Sequence, residues 1–234
     1  MTSAGFQQIG TIGDEYNALA SIIQNLLSGG VHTATLCQVL AVTNAGGVAP
    51  TGKVDLQPLV NQSGADGVYV PQGIIKSVPY FRLYGGSNAV IIDPQVEDIG
   101  LAIFCERDIS SVIANQAQSN PGSGRQYNIS DGLYINAFLR GGTPAQYLQF
   151  NPDGVSITSL KKITFTDGGG STIVMNGDGT GTMTFPGGLT VDANMQVNGS
   201  IQSTGDMVAN GISLDNHVHT GVTPGGSNTG GPTG

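Results

Sequence analysis

Apolar residues follow three successive periods along the chain. In the first, Leu19, Ile22, Ile23, Leu26 and Leu27 recur at i, i+3, i+4, i+7 and i+8, the spacing of one helix face. The pattern predicts a helix over 14–28, capped at its start by Asp14 and stopped by Gly29-Gly30. The stripe fits two arrangements, packing on its own domain or packing between protomers. From Val31 to about Arg107 the period shortens to two. Strands are predicted over 33–43, 53–60, 73–83, 89–92 and 99–106, separated by Asn44-Ala45-Gly46-Gly47, Ser63-Gly64-Ala65-Asp66-Gly67, Tyr84-Gly85-Gly86-Ser87 and Asp93-Pro94. Five strands in so short a span fit a small closed barrel, for which the oligonucleotide/oligosaccharide-binding (OB) type is the commonest five-stranded form. A short helix within 108–120, closed by Pro121-Gly122, leads into a turn-rich connector that runs to residue 150.

The third period begins at Asn151. Apolar pairs alternate, each followed by a turn: Val155/Ile157, Ile163/Phe165, Ile173/Met175 and Met183/Phe185. The spacing then becomes regular. Met183, Leu189, Met195, Ile201 and Met207 are each six residues apart, as are Gly199, Gly205 and Gly211. This is the period of a hexapeptide β-helix, and such repeats need several stacked copies to bury a core. A single-chain triangular coil uses three hexads, so this run makes fewer than two coils. Three chains, each supplying one side of a prism, bury the apolar position of every hexad on a common axis and pair every strand edge. The hexads therefore predict a homotrimeric, triple-stranded β-helical shaft. Asp167, Asp178, Asp192 and Asp206 recur beside shaft glycines and read as turn residues.

Composition agrees with this division. Of 234 residues, 37 are glycine, 10% are charged and none is Trp, so the chain reads as turn-rich and mainly β. The net charge is -8, and the eight Lys and Arg form no basic run. That argues against a nucleic-acid partner, as does the modest cluster Tyr80, Phe81, Arg82, Tyr84. The N-terminus has neither the charged nor the apolar region of a signal peptide, so synthesis in a cytoplasm is expected. Cys37 and Cys105 lie in apolar runs and read as buried thiols. No nucleophile elbow, P-loop or dinucleotide fingerprint occurs. His32 stands alone, and Glu97/Asp98 and Glu106/Asp108 read as solvated strand ends. The expectation is a protein that is not an enzyme.

The remaining chemistry lies in the last twenty residues. His217 and His219 point to one face of an extended strand and make a candidate metal pair. Two ligands from one chain form a weak site, whereas threefold symmetry turns two into six. Six imidazoles suit an octahedral first-row ion such as Fe(II), and geometry alone also admits Ni, Co or Mn.

The run from Asn216 to Pro232, with His-x-His-Thr-Gly followed by Pro-Gly-Gly-x-Asn-Thr-Gly-Gly-Pro, resembles the C-terminal tip of phage baseplate central spikes, the baseplate assembly protein V type. The stretch Val96 to Phe104 resembles the last barrel strand of that family. The resemblance implies an N-terminal helical segment over 1–30, an OB-fold barrel over 31–107, a connector over 108–150, a trimeric β-helical shaft over 151–214 and a metal-binding apex over 215–234. It implies one iron ion per trimer, held by His217 and His219 of three chains. It also implies docking on tail tube or baseplate hub proteins, a virion tail-tip location and transient contact with a host outer membrane during piercing. Two alternatives belong to other classes. A small metalloenzyme using His-x-His needs a third ligand, for which His32 is the remaining histidine. A trimeric glycan-binding fibre needs aromatic residues near its tip, and none follows Phe185.

Overall fold

The computed structural model describes residues 15–43, 47–63, 68–139, 141–221 and 225–226; the expected cap at Asp14 and most of the Pro-Gly-Gly run lie outside them. The chain is mainly β and divides into two compact units, Met1–Thr143 and Pro144–Gly234.

In the first unit the 3.6-residue stripe forms α1 (Glu15–Gly30), which runs through Gly29 to the second glycine. The next strands are β1 (Ala34–Val42), β2 (Lys53–Pro58), β3 (Gln62–Ser63), β4 (Tyr69–Val70), β5 (Ile75–Pro79), β6 (Leu83–Gly85), β7 (Asn88–Val90) and β8 (Ile99–Phe104). A short helix α2 (Ser110–Asn115), ended by Gln116 in the left-handed region, precedes β9 (Gly132–Leu139). The main sheet has the order β5-β2-β1-β8-β9, with every ladder antiparallel. Alternation buries Cys37 and Val39 of β1, Val54 and Leu56 of β2, Ile75 and Val78 of β5, Ala102 of β8 and Tyr134 of β9, with Tyr80 beside them. Burial raises the Cys37 thiol to about 11; Cys37 and Cys105 are both free.

Two expectations for this unit are corrected. The fifth strand of the sheet is β9, from the stretch read as connector, and not 89–92. Of the latter, Ala89 and Val90 lie in β7, which pairs locally with β6 as Leu83↔Val90 and Gly85↔Asn88, and Ile91 and Ile92 lie in no strand. Gly86, at φ 61, supplies the tight turn that makes this local pairing easier than a long-range one. β9 can lie against β8 because residue 100 is glycine: a Cβ there would collide with the Asn136 carbonyl and the Tyr134 hydroxyl. The second correction is that the sheet is not a closed barrel. β5 is short and holds Ser77 at φ 58, and it meets β9 only at one isolated parallel bridge, Tyr80 with Tyr134. There the Phe81 N–H donates to the Tyr134 carbonyl at 2.7 Å.

Arg82 fixes the β6–β7 hairpin to the sheet. Its guanidinium donates to both Asp93 carboxylate oxygens at 2.7 Å and to the Ala49 carbonyl at 2.7 Å. Both side chains of this ion pair are almost fully buried. Charge-assisted, bidentate geometry of this kind satisfies the donors that burial would otherwise strand.

The second unit contains β10 (Tyr147–Asn151), β11 (Gly154–Thr158), β12 (Ile163–Thr166), β13 (Thr172–Met175), β14 (Gly181–Thr184), β15 (Val208–Ala209) and β16 (Ile212–Ser213). β10–β11 is a hairpin and β12–β13–β14 a meander. Their registers align the apolar positions read from the sequence: Leu148 faces Ile157, Phe150 faces Val155, and Phe165, Ile173 and Met183 form a row. Aspartates hold the turns as expected. Asp167 accepts from the Gly169 and Ser171 amides, and Asp178 accepts from the Thr180 amide. Between Thr184 and Val208 no strand forms, so the hexad positions Leu189, Met195 and Ile201 belong to no ladder of their own chain, while Met183 lies in β14 and Met207 borders the β15–β16 hairpin. None of the described residues of this unit is buried.

Candidate metal centre at the C-terminal tip

The tip is built on an Asn-Gly hairpin. Asn210 and Gly211 both have positive φ, 55 and 82, as a two-residue hairpin turn of the primed type requires. The turn sets β15 against β16, pairing Val208 with Ser213 and Ala209 with Ile212. The Leu214 N–H extends the ladder by donating to the Met207 carbonyl at 2.8 Å. Asp206 then ties the base of the hairpin to the residues beyond β16. It accepts from the Asp215 amide, and hydrogen bonds from Ser213 and Asp215 hold its carboxyl below the usual range.

His217 leaves this base in a defined orientation. Its Nδ1 lies 3.0 Å from the carbonyl oxygens of both Ser213 and Leu214. Carbonyls only accept, so Nδ1 carries the hydrogen and donates. In the neutral ring, Nε2 is then the nitrogen with a free lone pair. Backbone anchoring of one ring nitrogen is how metal-ligating histidines are commonly oriented. His219 stands beside it, with ring centroids 5.2 Å apart and planes at 81°. Residues 217–219 lie outside any strand and all three are exposed, so the pairing of the two rings comes from the bend after β16 and not from the strand alternation expected of the sequence.

The geometry bears directly on whether these donors suit a metal. Two imidazoles side by side, one with its remote nitrogen fixed as the lone-pair donor, suit adjacent positions on one ion. They do not complete a coordination sphere. Among the described residues, no group of three or more His, Cys, Asp or Glu side chains is arranged to hold a metal. His32 lies in the first unit, where its ring meets the edge of Phe104 at 5.9 Å and lines an apolar hollow with Val31, Leu36 and Ile129. Within one chain the described tip therefore offers two imidazole donors side by side. Beside them Met207, Val208, Ala209, Ile212, Leu214 and His217 line an open apolar hollow of about 440 Å³.

Residues 211–233 match the GpV Apex motif. The match covers the second hairpin strand, both histidines and the Pro-Gly-Gly run, and it supports a protein of the phage baseplate central spike type. A search of curated proteins finds no match.

The other charged groups singled out from sequence have structural roles. Asp98 accepts from the Gln95 amide at 2.8 Å and shapes the turn before β8. Asp108 is not a solvated strand end. It is buried, and it accepts from the Ser110 amide and from the Ser123 hydroxyl at 2.7 Å, with Arg125 at 3.1 Å. Hydrogen bonds from Ser110 and Ser123 lower its carboxyl to about 2. Arg125 also bridges to buried Asp131. This polar corner is invisible to sequence reasoning because its members come from the loop before α2, from the start of α2 and from the loop between α2 and β9, with no periodicity linking them. Each oxygen in it is engaged by a hydroxyl, an amide or a guanidinium, and no histidine accompanies Ser123 as a base.

Proposed function

We propose that the chain is the central spike of a contractile phage tail baseplate, a homotrimer whose apex pierces the host outer membrane. The observation that carries this reading is the His217/His219 pair, oriented on the Asn210-Gly211 hairpin within the Apex match. Three such pairs around a threefold axis supply six imidazoles to one ion. Iron, one per trimer, is the ion that the family resemblance implies. When bound, it would act structurally, cross-linking three chains at a point too narrow for a hydrophobic core. The residues of this chain do the rest: the Ser213 and Leu214 carbonyls orient His217, and the glycine-rich run after His219 adds little bulk.

The second unit supports the trimer by what it leaves uncovered. Met183, Leu189, Met195, Ile201 and Met207 are all exposed, between 42% and 67%. A shaft segment with no buried residue has no core of its own, whereas three copies can bury this column on an axis. Full burial of each such side chain contributes about 1.5–3 kcal/mol. The first unit supports an OB-type domain. Its sheet order, with a parallel contact between β5 and β9, fits a five-stranded, partly open Greek-key barrel. In this reading residues 1–30 form the helical segment, 31–107 the core of the OB-type domain, 108–150 the connector that lends it β9, 151–214 the shaft and 215–234 the apex. The OB-type end docks on tail tube or baseplate hub proteins, and the protein acts by position and force, without catalysis. The spike is made in the host cytoplasm and resides in the virion tail.

Elemental analysis of the purified protein tests the site. One metal ion per three chains is expected, lost in His217→Ala/His219→Ala while the assembly stays three-chain. Absence of metal from the parent, or one ion per chain, would reject the threefold site.

A further inference from the structure

The helix α1 presents an apolar stripe with none of the other described elements of its chain packed against it. Leu19, Ile22, Ile23, Leu26 and Leu27 are 48% to 64% exposed. Among the described residues, α1 shares no substantial contact with any other element. A helix of 16 residues is only just longer than the roughly 12–15 below which isolated helices are marginal in water. Something must cover the stripe for α1 to persist.

Three features of the stripe point to copies of this chain as its occupants. The first is width. At 100° per residue the five side chains span about 140°, broader than the two-position seam that serves a single neighbour. Leu19, Ile23 and Leu26 keep the four-three spacing of a seam, and Ile22 and Leu27 flank it on opposite sides. A helix so built faces two neighbours at once, as each member of a three-helix bundle does. The second feature is charge. No Asp, Glu, Lys or Arg occurs from Tyr16 to Gly30. Self-association sets like residues against like, where any charge would repel its own copy, and this helix carries none there. A partner recognised by charge complementarity finds nothing to read. The third is the tether: only Val31, His32 and Thr33 separate α1 from β1. In a threefold assembly the three helices therefore start from equivalent, nearby points, at high effective concentration.

We infer that the three α1 helices pack on one another as a parallel three-helix bundle, a second self-assembly element far along the chain from the apex. The inference rests on the trimer proposed above. Single cysteines in the full chain test it. Leu26→Cys lies near the centre of the stripe, and Ala18→Cys lies about 110° away from that centre. After oxidation, Leu26→Cys should give covalently linked chains on a denaturing gel. Ala18→Cys and the parent should not, all three proteins carrying Cys105→Ser because Cys105 is only half-buried whereas Cys37 is buried. Ile23→Asp should lose helical ellipticity while sedimentation still reports three chains. A three-chain assembly that does not cross-link at Leu26, or whose helicity is untouched by Ile23→Asp, overturns the bundle alone. A single-chain mass overturns the trimer itself and the bundle with it.

Discussion

At the scale of single residues, orientation decides what each polar group can do. His217 is more than a histidine at the right spacing. The carbonyls of Ser213 and Leu214 hold its Nδ1–H and so turn Nε2 outward as the lone-pair donor. The histidines are legible in the sequence as a local signal, whereas the Asn210-Gly211 turn is masked there by the six-residue period that Gly211 shares with Gly199 and Gly205. The carbonyl contacts are not legible, since they depend on how the chain bends after β16. Asp108 escapes sequence reasoning for a related reason. Its partners Ser123, Arg125 and Asp131 come from loops beyond α2, and no periodicity links them. Its carboxyl, lowered from 3.8 to about 2, stabilises the folded state at pH above about 4, and that contribution is lost as pH falls through about 2. Thermal melts between pH 5 and pH 2 should therefore show an acid-sensitive component for the first unit that flattens in Asp108→Asn. An unchanged pH profile in that variant would show that the corner contributes nothing to stability.

At the scale of elements, period is a good guide where one face is buried and a poor one elsewhere. β1, β2, β5 and β8 are legible because alternation matches a half-buried sheet. β9 is not: Leu133, Tyr134, Ile135, Ala137, Phe138 and Leu139 put apolar groups on both faces, in a stretch crowded with glycine turns. The segment 89–92 is apolar enough for a sheet strand, but its nearest pairing partner lies across a two-glycine turn. In the shaft the hexads are plain in sequence, yet Leu189, Met195 and Ile201 lie in no ladder within one chain. In the proposed trimer their ladders would be completed by the other copies. Ile201→Asp tests that element directly. It would bring three carboxylates together on the axis, where an unpaired buried charge costs several kcal/mol. The expected outcome is failure to assemble, or loss of heat resistance in a melt. A variant that assembles and melts like the parent would show that Ile201 does not face the axis.

At the scale of the whole molecule, the two units solve stability in different ways. The first has a core, closed by Tyr134 and pinned by the Arg82–Asp93 pair. The second has apolar rows, Asp-held turns and, among its described residues, none that is buried. In the proposed trimer its order would come from the other chains, unfolding would require three chains to separate, and resistance to heat would become a matter of rate. In the proposed spike the tip follows the same rule: one chain offers the His217/His219 pair and an open apolar hollow, and the threefold axis would supply the remainder. The measurement that tests this most directly is native mass spectrometry of the intact chain, which reads subunit number and bound metal together. The spike reading predicts a species of three chains carrying one metal ion. A single chain at micromolar concentration, or a three-chain species with three metal ions, would contradict it.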